Sequence, residues 1–140
     1  MQRKANARWQ GSAKEGGGTL SVQSGTLTDV PYTFKARFGD GKGTNPEELI
    51  AAAHAGCFTM ALSFALGNAG HPPQSIETNA SLTLDKVEGG FSITAVHLTT
   101  RAKVAGIDAA KFAEIANGAK AGCPVSKVLK ATITLDAGLA

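Results

Sequence analysis

The chain holds two cysteines, Cys57 and Cys123, and no other side chains in it offer as much chemistry. Cys57 lies in His54-Ala55-Gly56-Cys57-Phe58, inside a long apolar run. A free cysteine among apolar neighbours is most often a small buried hydrophobe without reactivity. Gly56 fits that reading badly. A glycine inside a helix costs about 1 kcal/mol relative to alanine, and it is tolerated where a backbone, side chain or ligand must come close. Cys123 lies in Ala121-Gly122-Cys123-Pro124. Gly122 suits the end of one helix and Pro124 the start of the next. That puts Cys123 at a helix N-terminus, where a thiolate is stabilised. By local physics Cys123 is the better thiolate of the two.

Three further residues could serve a thiol site. Arg37 precedes a glycine-rich turn and Glu47 opens the long apolar segment. Taken singly, each has a simpler reading: a solvated strand residue for Arg37, a helix-dipole or capping role for Glu47. Together they suit thiol chemistry. A guanidinium beside a thiol stabilises the thiolate and can hydrogen-bond a peroxide oxygen, and a carboxylate would hold that guanidinium in place. Helix geometry adds a constraint. Glu47 and Cys57 are ten positions apart, about 15 Å along a helix axis. If both serve one site, either they come from different subunits or Arg37 and a bound substrate span the gap. His54 shares a helix face with Cys57 and could be half of a zinc site with His71, His97 or Cys123. No tight ligand spacing supports this, and a core histidine is the better reading.

The elements that must carry these residues follow from the hydrophobic pattern. Ala5–Gln10, Thr19–Gln23 and Tyr32–Phe38 read as an N-terminal antiparallel meander. In the last of these, Tyr32, Phe34, Ala36 and Phe38 alternate with Thr33, Lys35 and Arg37. Thr44-Asn45-Pro46-Glu47-Glu48 then has the signals of a helix start: Asn45 as N-cap, Pro46 at the first helical position, and Glu48 where a capping box puts its carboxylate. This helix should run to about Leu66 and stop near Gly67-Asn68. Nearly every side of it is apolar or small, which predicts a helix enclosed by other elements. Residues 75–86 and 91–104 read as a strand pair turned at Glu88-Gly89-Gly90. Asp108–Lys120 reads as a second helix, Pro124–Lys130 as a short third, and Thr132–Leu135 as a last strand. The fold class is α+β.

Length and composition narrow the function classes. At 140 residues, the whole chain 1–140 reads as one domain. Its 43% hydrophobic and 18% charged residues match ordinary globular usage and exclude a disordered or coiled-coil chain. The net charge of +3 is scattered, with Arg3-Lys4 the one adjacent pair, so no nucleic-acid partner is expected. The uncharged stretch from Leu49 to Leu66 is long enough to raise a membrane span. Its alanines, with His54, Gly56, Thr59 and Ser63, favour a buried helix in a soluble fold. The N-terminal MQRKANARWQG has no apolar run behind it, which predicts a cytoplasmic protein. A structural disulfide is not expected there, so the cysteines are redox-active, metal-binding or simply buried.

The segments RFGDGKGTNPEELIAAAHAGCFTMAL and AGCPVSKVLKATITLD resemble the OsmC/Ohr family, nearest to its OsmC branch. The likeness extends to ARWQG, SGTL, PYTF and SLTLDKVEGGFSIT, and so to nearly the whole chain. The resemblance implies antiparallel sheets packed around a long central helix, in an intertwined homodimer with active sites at the subunit interface. It implies a thiol peroxidase of oxidative or osmotic stress defence that reduces organic hydroperoxides, and hydrogen peroxide less well. It assigns Cys57 as peroxidatic, Cys123 as resolving, Arg37 as the residue stabilising thiolate and peroxide, and Glu47 as the one orienting Arg37. The implied partners are an organic hydroperoxide and an external dithiol, for which the resemblance suggests a lipoyl type. Neither cofactor nor metal is called for, because the sulfur itself does the redox chemistry. Phe58, Met60 and Leu62 would offer an apolar wall to the substrate. A rival reading is a non-enzymatic redox-sensing or apolar-ligand-binding dimer. The lack of a DNA-binding helix pair or basic arm weighs against a regulator.

Overall fold

The computed structural model describes residues 1–140. The chain divides into two compact units, Met1–Leu49 and Ile50–Ala140.

In the N-terminal unit, β1 (Ala5–Gln10), β2 (Gly17–Val22) and β3 (Val30–Thr33) form an antiparallel sheet in that order. This is the expected meander. Gly18 has to be glycine: a Cβ there would collide with the Arg8 carbonyl and with the rings of Tyr32 and Trp9. Those two rings lie 5.2 Å apart, centroid to centroid.

The third strand is shorter than its alternation predicts. It ends at Thr33, and Phe34–Phe38 forms a short helix, α1. The Thr33 hydroxyl accepts from the Ala36 N–H at 3.0 Å and caps this helix. The sequence misleads here because positions 34 and 38 fall on one face under period 2 and also under the helical i,i+4 spacing. The Phe34 and Phe38 rings do meet, 4.8 Å apart, but as helical neighbours. The chain then turns, with the Gly39 and Gly41 N–H groups both donating to the Lys35 carbonyl.

Helix α2 spans Pro46–Asn68. Asn45 caps it as expected, its Oδ1 accepting from the Glu48 N–H at 2.8 Å. Its amide also donates to the Ala36 carbonyl at 3.2 Å, tying α1 to the start of α2. The capping box departs from its usual form: the Glu48 carboxylate accepts from the Thr44 hydroxyl.

The C-terminal unit carries the remainder of α2, then β4 (Pro73–Val87), β5 (Gly90–Val104), α3 (Ala109–Gly122), α4 (Pro124–Val128) and β6 (Thr132–Leu139). β4 and β5 form the expected antiparallel hairpin. β6 pairs with β5 in parallel, Ala95 opposite Thr132, so this sheet is mixed. The reason is the connection. α3 and α4 supply the long crossover that parallel neighbours require. Asp108 caps α3, accepting from the Lys111 N–H at 2.8 Å. The core joins Phe58, Leu62 and Leu66 of α2 to Val96, Leu98 and Ala102 of β5 and to Phe112, Ala116 and Ala119 of α3.

The long helix is not enclosed on all sides by its own chain. His54, Phe58, Leu62 and Leu66, spaced four apart, are buried. Met60 and Phe64 are 75% and 72% exposed. Length and mean hydropathy of 1.8 would let this helix cross a membrane, but its apolar row at positions 58, 62 and 66 is already committed to the core. A Cβ at Gly56 would meet nothing in this chain, so no internal contact accounts for that glycine.

Leu62→Ala should lower unfolding free energy by about 2–5 kcal/mol, because the cavity opens in a close-packed core. Urea denaturation measures this. A loss below about 1 kcal/mol would contradict the assignment of the 54/58/62/66 row as the buried face.

Candidate active site

The two cysteines come together although 66 residues separate them, with Sγ–Sγ 2.9 Å. Both are free thiols. The distance is longer than a disulfide bond, about 2.05 Å, and short enough for the sulfurs to share a proton. Cys57 stands on α2 one position before the buried Phe58 and is partly exposed, while Cys123 is fully buried. Cys123 occupies the break between α3 and α4: its N–H donates to the Ala119 carbonyl, ending α3, and it is the N-cap residue of α4. Gly122 and Pro124 flank it as the sequence suggests.

Electrostatics divides the pair. Burial pushes the Cys57 thiol up, the hydrogen bond with Cys123 adds to this, and the Val125 N–H opposes it. The result is a thiol above its ordinary value. Burial also pushes Cys123 up, but several partners outweigh it: Cys57, the N–H and hydroxyl of Ser126, and the N–H of Val125. Cys123 ends below its ordinary value. None of these donors makes a tight N-cap bond to the sulfur; their sum at the mouth of α4 favours the anion. The two thiols interact directly, and the pair titrates as a unit.

Arg37 and Glu47 also come together, within the N-terminal unit. Arg37 Nε donates to Glu47 Oε1 at 3.1 Å and Oε2 at 3.2 Å, and Nη2 donates to Oε1 at 2.7 Å. This fork geometry fixes the guanidinium plane. Glu47 is the more buried partner, 15% against 40% exposed for the side chains. The Arg37 Cζ also lies 5.1 Å from the centre of the Phe38 ring. Arg37 sits on α1, not on the polar face of a strand. Beside it opens a cleft of about 440 Å³ lined by Trp9, Tyr32, Phe34, Phe38 and Pro46. Tyr32, Phe34 and Phe38 were expected on one strand face; the presence of Trp9 and Pro46 beside them was not legible, because it depends on sheet pairing and on the turn into α1. Phe58 and Leu62, expected to wall a substrate, are fully buried in the core instead.

His54 is buried as expected. Its Nε2 lies 2.8 Å from the Ser126 hydroxyl, an interaction that sequence reasoning missed because 72 residues separate the two. Burial lowers its pKa, so the imidazole is neutral. No cluster of three or more His, Cys, Asp or Glu side chains is arranged to share a metal ion.

Two sulfurs within bonding reach, one of them favoured as the anion, define a dithiol redox centre on an α+β scaffold. A family model described as OsmC-like protein matches residues 39–137. The chain is 57% identical over 136 residues to Peroxiredoxin OsmC of Escherichia coli strain K12, covering 97% of this chain and 95% of that protein. It is 32% identical over 123 residues to an organic hydroperoxide resistance protein of Xanthomonas axonopodis pv. citri, covering 86% and 84%. The crystal structure of the organic hydroperoxide resistance protein OhrB of Bacillus subtilis superposes with a TM-score of 0.75 at 28% identity, over 96% of this chain and 98% of that one. The chain belongs to the OsmC-like family.

The thiolate absorbance of the reduced protein should rise in two steps as pH increases, one below and one above the ordinary thiol range. The lower step belongs mainly to Cys123 and should vanish in Cys123→Ser, leaving Cys57 to titrate above the ordinary range because burial still opposes its anion. A single step at the ordinary thiol value would contradict the shared-proton geometry.

Proposed function

We propose that this protein is a thiol-dependent peroxidase that reduces organic hydroperoxides, and hydrogen peroxide less efficiently, in stress defence. The observation that carries the reading is the pair of free thiols 2.9 Å apart. Its relatives named peroxiredoxin and organic hydroperoxide resistance protein support it.

Cys57 is the peroxidatic residue, because it is the sulfur with access to solvent while Cys123 is sealed. Cys57 reacts as the thiolate, its proton passing to Cys123 across the shared hydrogen bond. The sulfur attacks the distal oxygen of R–O–O–H. The O–O bond breaks, Cys57 becomes a sulfenic acid, and the departing alkoxide takes the proton from Cys123 to leave as ROH, so that Cys123 becomes the thiolate. Cys123 then attacks the sulfenic sulfur. A disulfide forms and the hydroxyl leaves as water. An external dithiol, of which a lipoyl group is one kind, reduces the disulfide by exchange and is itself oxidised. Arg37 stabilises the thiolate and the alkoxide, and Glu47 orients Arg37. The bidentate Arg37–Glu47 pair supports these two roles. The aromatic lining beside Arg37 suits an apolar R group.

The protein works in the cytoplasm as a homodimer, with its active sites at the subunit interface. The exposed Met60 and Phe64 on an otherwise apolar helix support a partner surface.

With cumene hydroperoxide and a dithiol, the wild type should turn over many times. Cys57→Ser should lose all activity. Cys123→Ser should consume one equivalent and leave a trappable sulfenic acid. Stoichiometric consumption by the wild type would point instead to a redox sensor. Arg37→Ala should move the rising limb of the pH–rate profile to higher pH, since the guanidinium favours the anion; an unmoved limb would remove Arg37 from the mechanism.

A further inference from the structure

His54 is the one fully buried ionisable side chain that the peroxidase chemistry above does not use. Its Nε2 lies 2.8 Å from the Ser126 hydroxyl of α4. Its Nδ1 is buried without a partner, so the bond to Ser126 is the ring's one hydrogen bond. The positions matter. His54 stands three residues before Cys57 on α2, and Ser126 stands three residues after Cys123, in the first turn of α4. The two contacts, 54 with 126 and 57 with 123, therefore bridge the same two segments about one helical turn apart. Little else fastens α4. It is five residues long, none of them is buried, and no side chain caps it. Val128 is 78% exposed, and Val125 and Leu129 are only partly buried against the core. An element that takes so little apolar surface out of water opens at low cost. The His54–Ser126 bond closes that weak point one turn away from the reacting sulfurs.

We propose that the His54–Ser126 hydrogen bond is a latch that holds the start of α4 against α2, so that Cys123 stays in contact with Cys57 and the disulfide closes before the sulfenic acid is oxidised further. His54 and Ser126 are positioning residues: they act through where Cys123 is held. The inference rests on the Cys57 and Cys123 roles given above and adds what sets the speed of the second step. The latch works with either tautomer, because the imidazole nitrogen donates to the hydroxyl or accepts from it. In the reduced protein the latch restrains α4 from moving away from α2. In the disulfide the covalent bond does this by itself. Losing the latch frees the reduced state more than the oxidised one, which lowers both the rate of closure and its equilibrium constant. In closure the Cys123 sulfur attacks the sulfenic sulfur of Cys57, the S–S bond forms, the S–O bond breaks and the oxygen leaves as water. A slow closure gives a second hydroperoxide time to oxidise the sulfenic acid to sulfinic acid, itself leaving as ROH.

The test compares wild type with Ser126→Ala, Ser126→Thr, His54→Leu, His54→Gln and the His54→Leu/Ser126→Ala double variant. The first readout is the dithiol–disulfide equilibrium of the protein in a buffer of reduced and oxidised dithiothreitol, which involves no peroxide. The second is the rate of sulfenic acid formation and, separately, of disulfide closure after one equivalent of cumene hydroperoxide. Ser126→Ala and His54→Leu should each lower the equilibrium constant for the disulfide about fivefold, the scale of one neutral hydrogen bond, which makes the potential less negative by about 20 mV. Each should slow closure by a similar factor and leave sulfenic acid formation at Cys57 unchanged. The double variant should be no worse than either single one, because both remove the same bond. Ser126→Thr and His54→Gln, which keep a hydrogen-bonding group at similar reach, should restore most of the wild-type equilibrium. An equilibrium unmoved in Ser126→Ala, losses that sum in the double variant, or equal slowing of both steps would overturn the latch. If His54→Leu does not fold, as judged by circular dichroism, Ser126→Ala and its rescue by Ser126→Thr decide the matter. A wild type that forms the disulfide in the redox buffer, with the variants shifted as stated, but consumes no hydroperoxide would overturn the peroxidase roles and leave the latch standing, which separates the two failures.

Discussion

The contact between two sulfurs from distant parts of the sequence is the constraint on which the C-terminal unit is organised. Cys57 is placed by a long helix whose row at positions 54, 58, 62 and 66 is locked into the core. Cys123 is placed by the end of one helix and the start of another, with Gly122 and Pro124 forming the break. Neither cysteine could shift far without disturbing close-packed neighbours. The sheet contributes indirectly. The parallel return of β6 requires a crossover, and the crossover is the α3–α4 segment that presents Cys123.

Placing both thiols in a partly apolar setting would by itself keep both protonated. The start of α4 opposes that for one of them. Hydrogen bonding from Ser126 and Val125 at that helix start lowers the Cys123 thiol, while burial raises that of Cys57. Cys123 is the sealed sulfur and Cys57 the partly exposed one. In the N-terminal unit, Glu47 holds the Arg37 guanidinium in a two-pronged ion pair.

Much of this was legible in the sequence because it depends on local rules. The cap at Asn45, the helix break at Cys123 and the β4–β5 turn all follow from residue types at fixed offsets. The strand read over Tyr32–Phe38 failed at Thr33, where a cap and an i,i+4 aromatic pair override an alternation that serves both periods. Composition reports what a helix tolerates and not what covers it, and Met60 and Phe64 remain uncovered by this chain. The resemblance supplied the pairing of Cys57 with Cys123; nothing in the spacing of residues 57 and 123 states a distance. The His54–Ser126 bond was illegible for the same reason, since it joins two elements brought together by packing alone.

One molecule of hydroperoxide, a two-electron oxidant, should be captured as a bond between these two sulfurs. Peptide mapping under non-reducing conditions, after one equivalent of cumene hydroperoxide, tests it most directly. The account predicts a cross-linked peptide joining Cys57 to Cys123 within one chain, formed without passing through sulfinic acid. Cys57 recovered as sulfinic acid with Cys123 still a free thiol, or a cross-link only between chains, would contradict it.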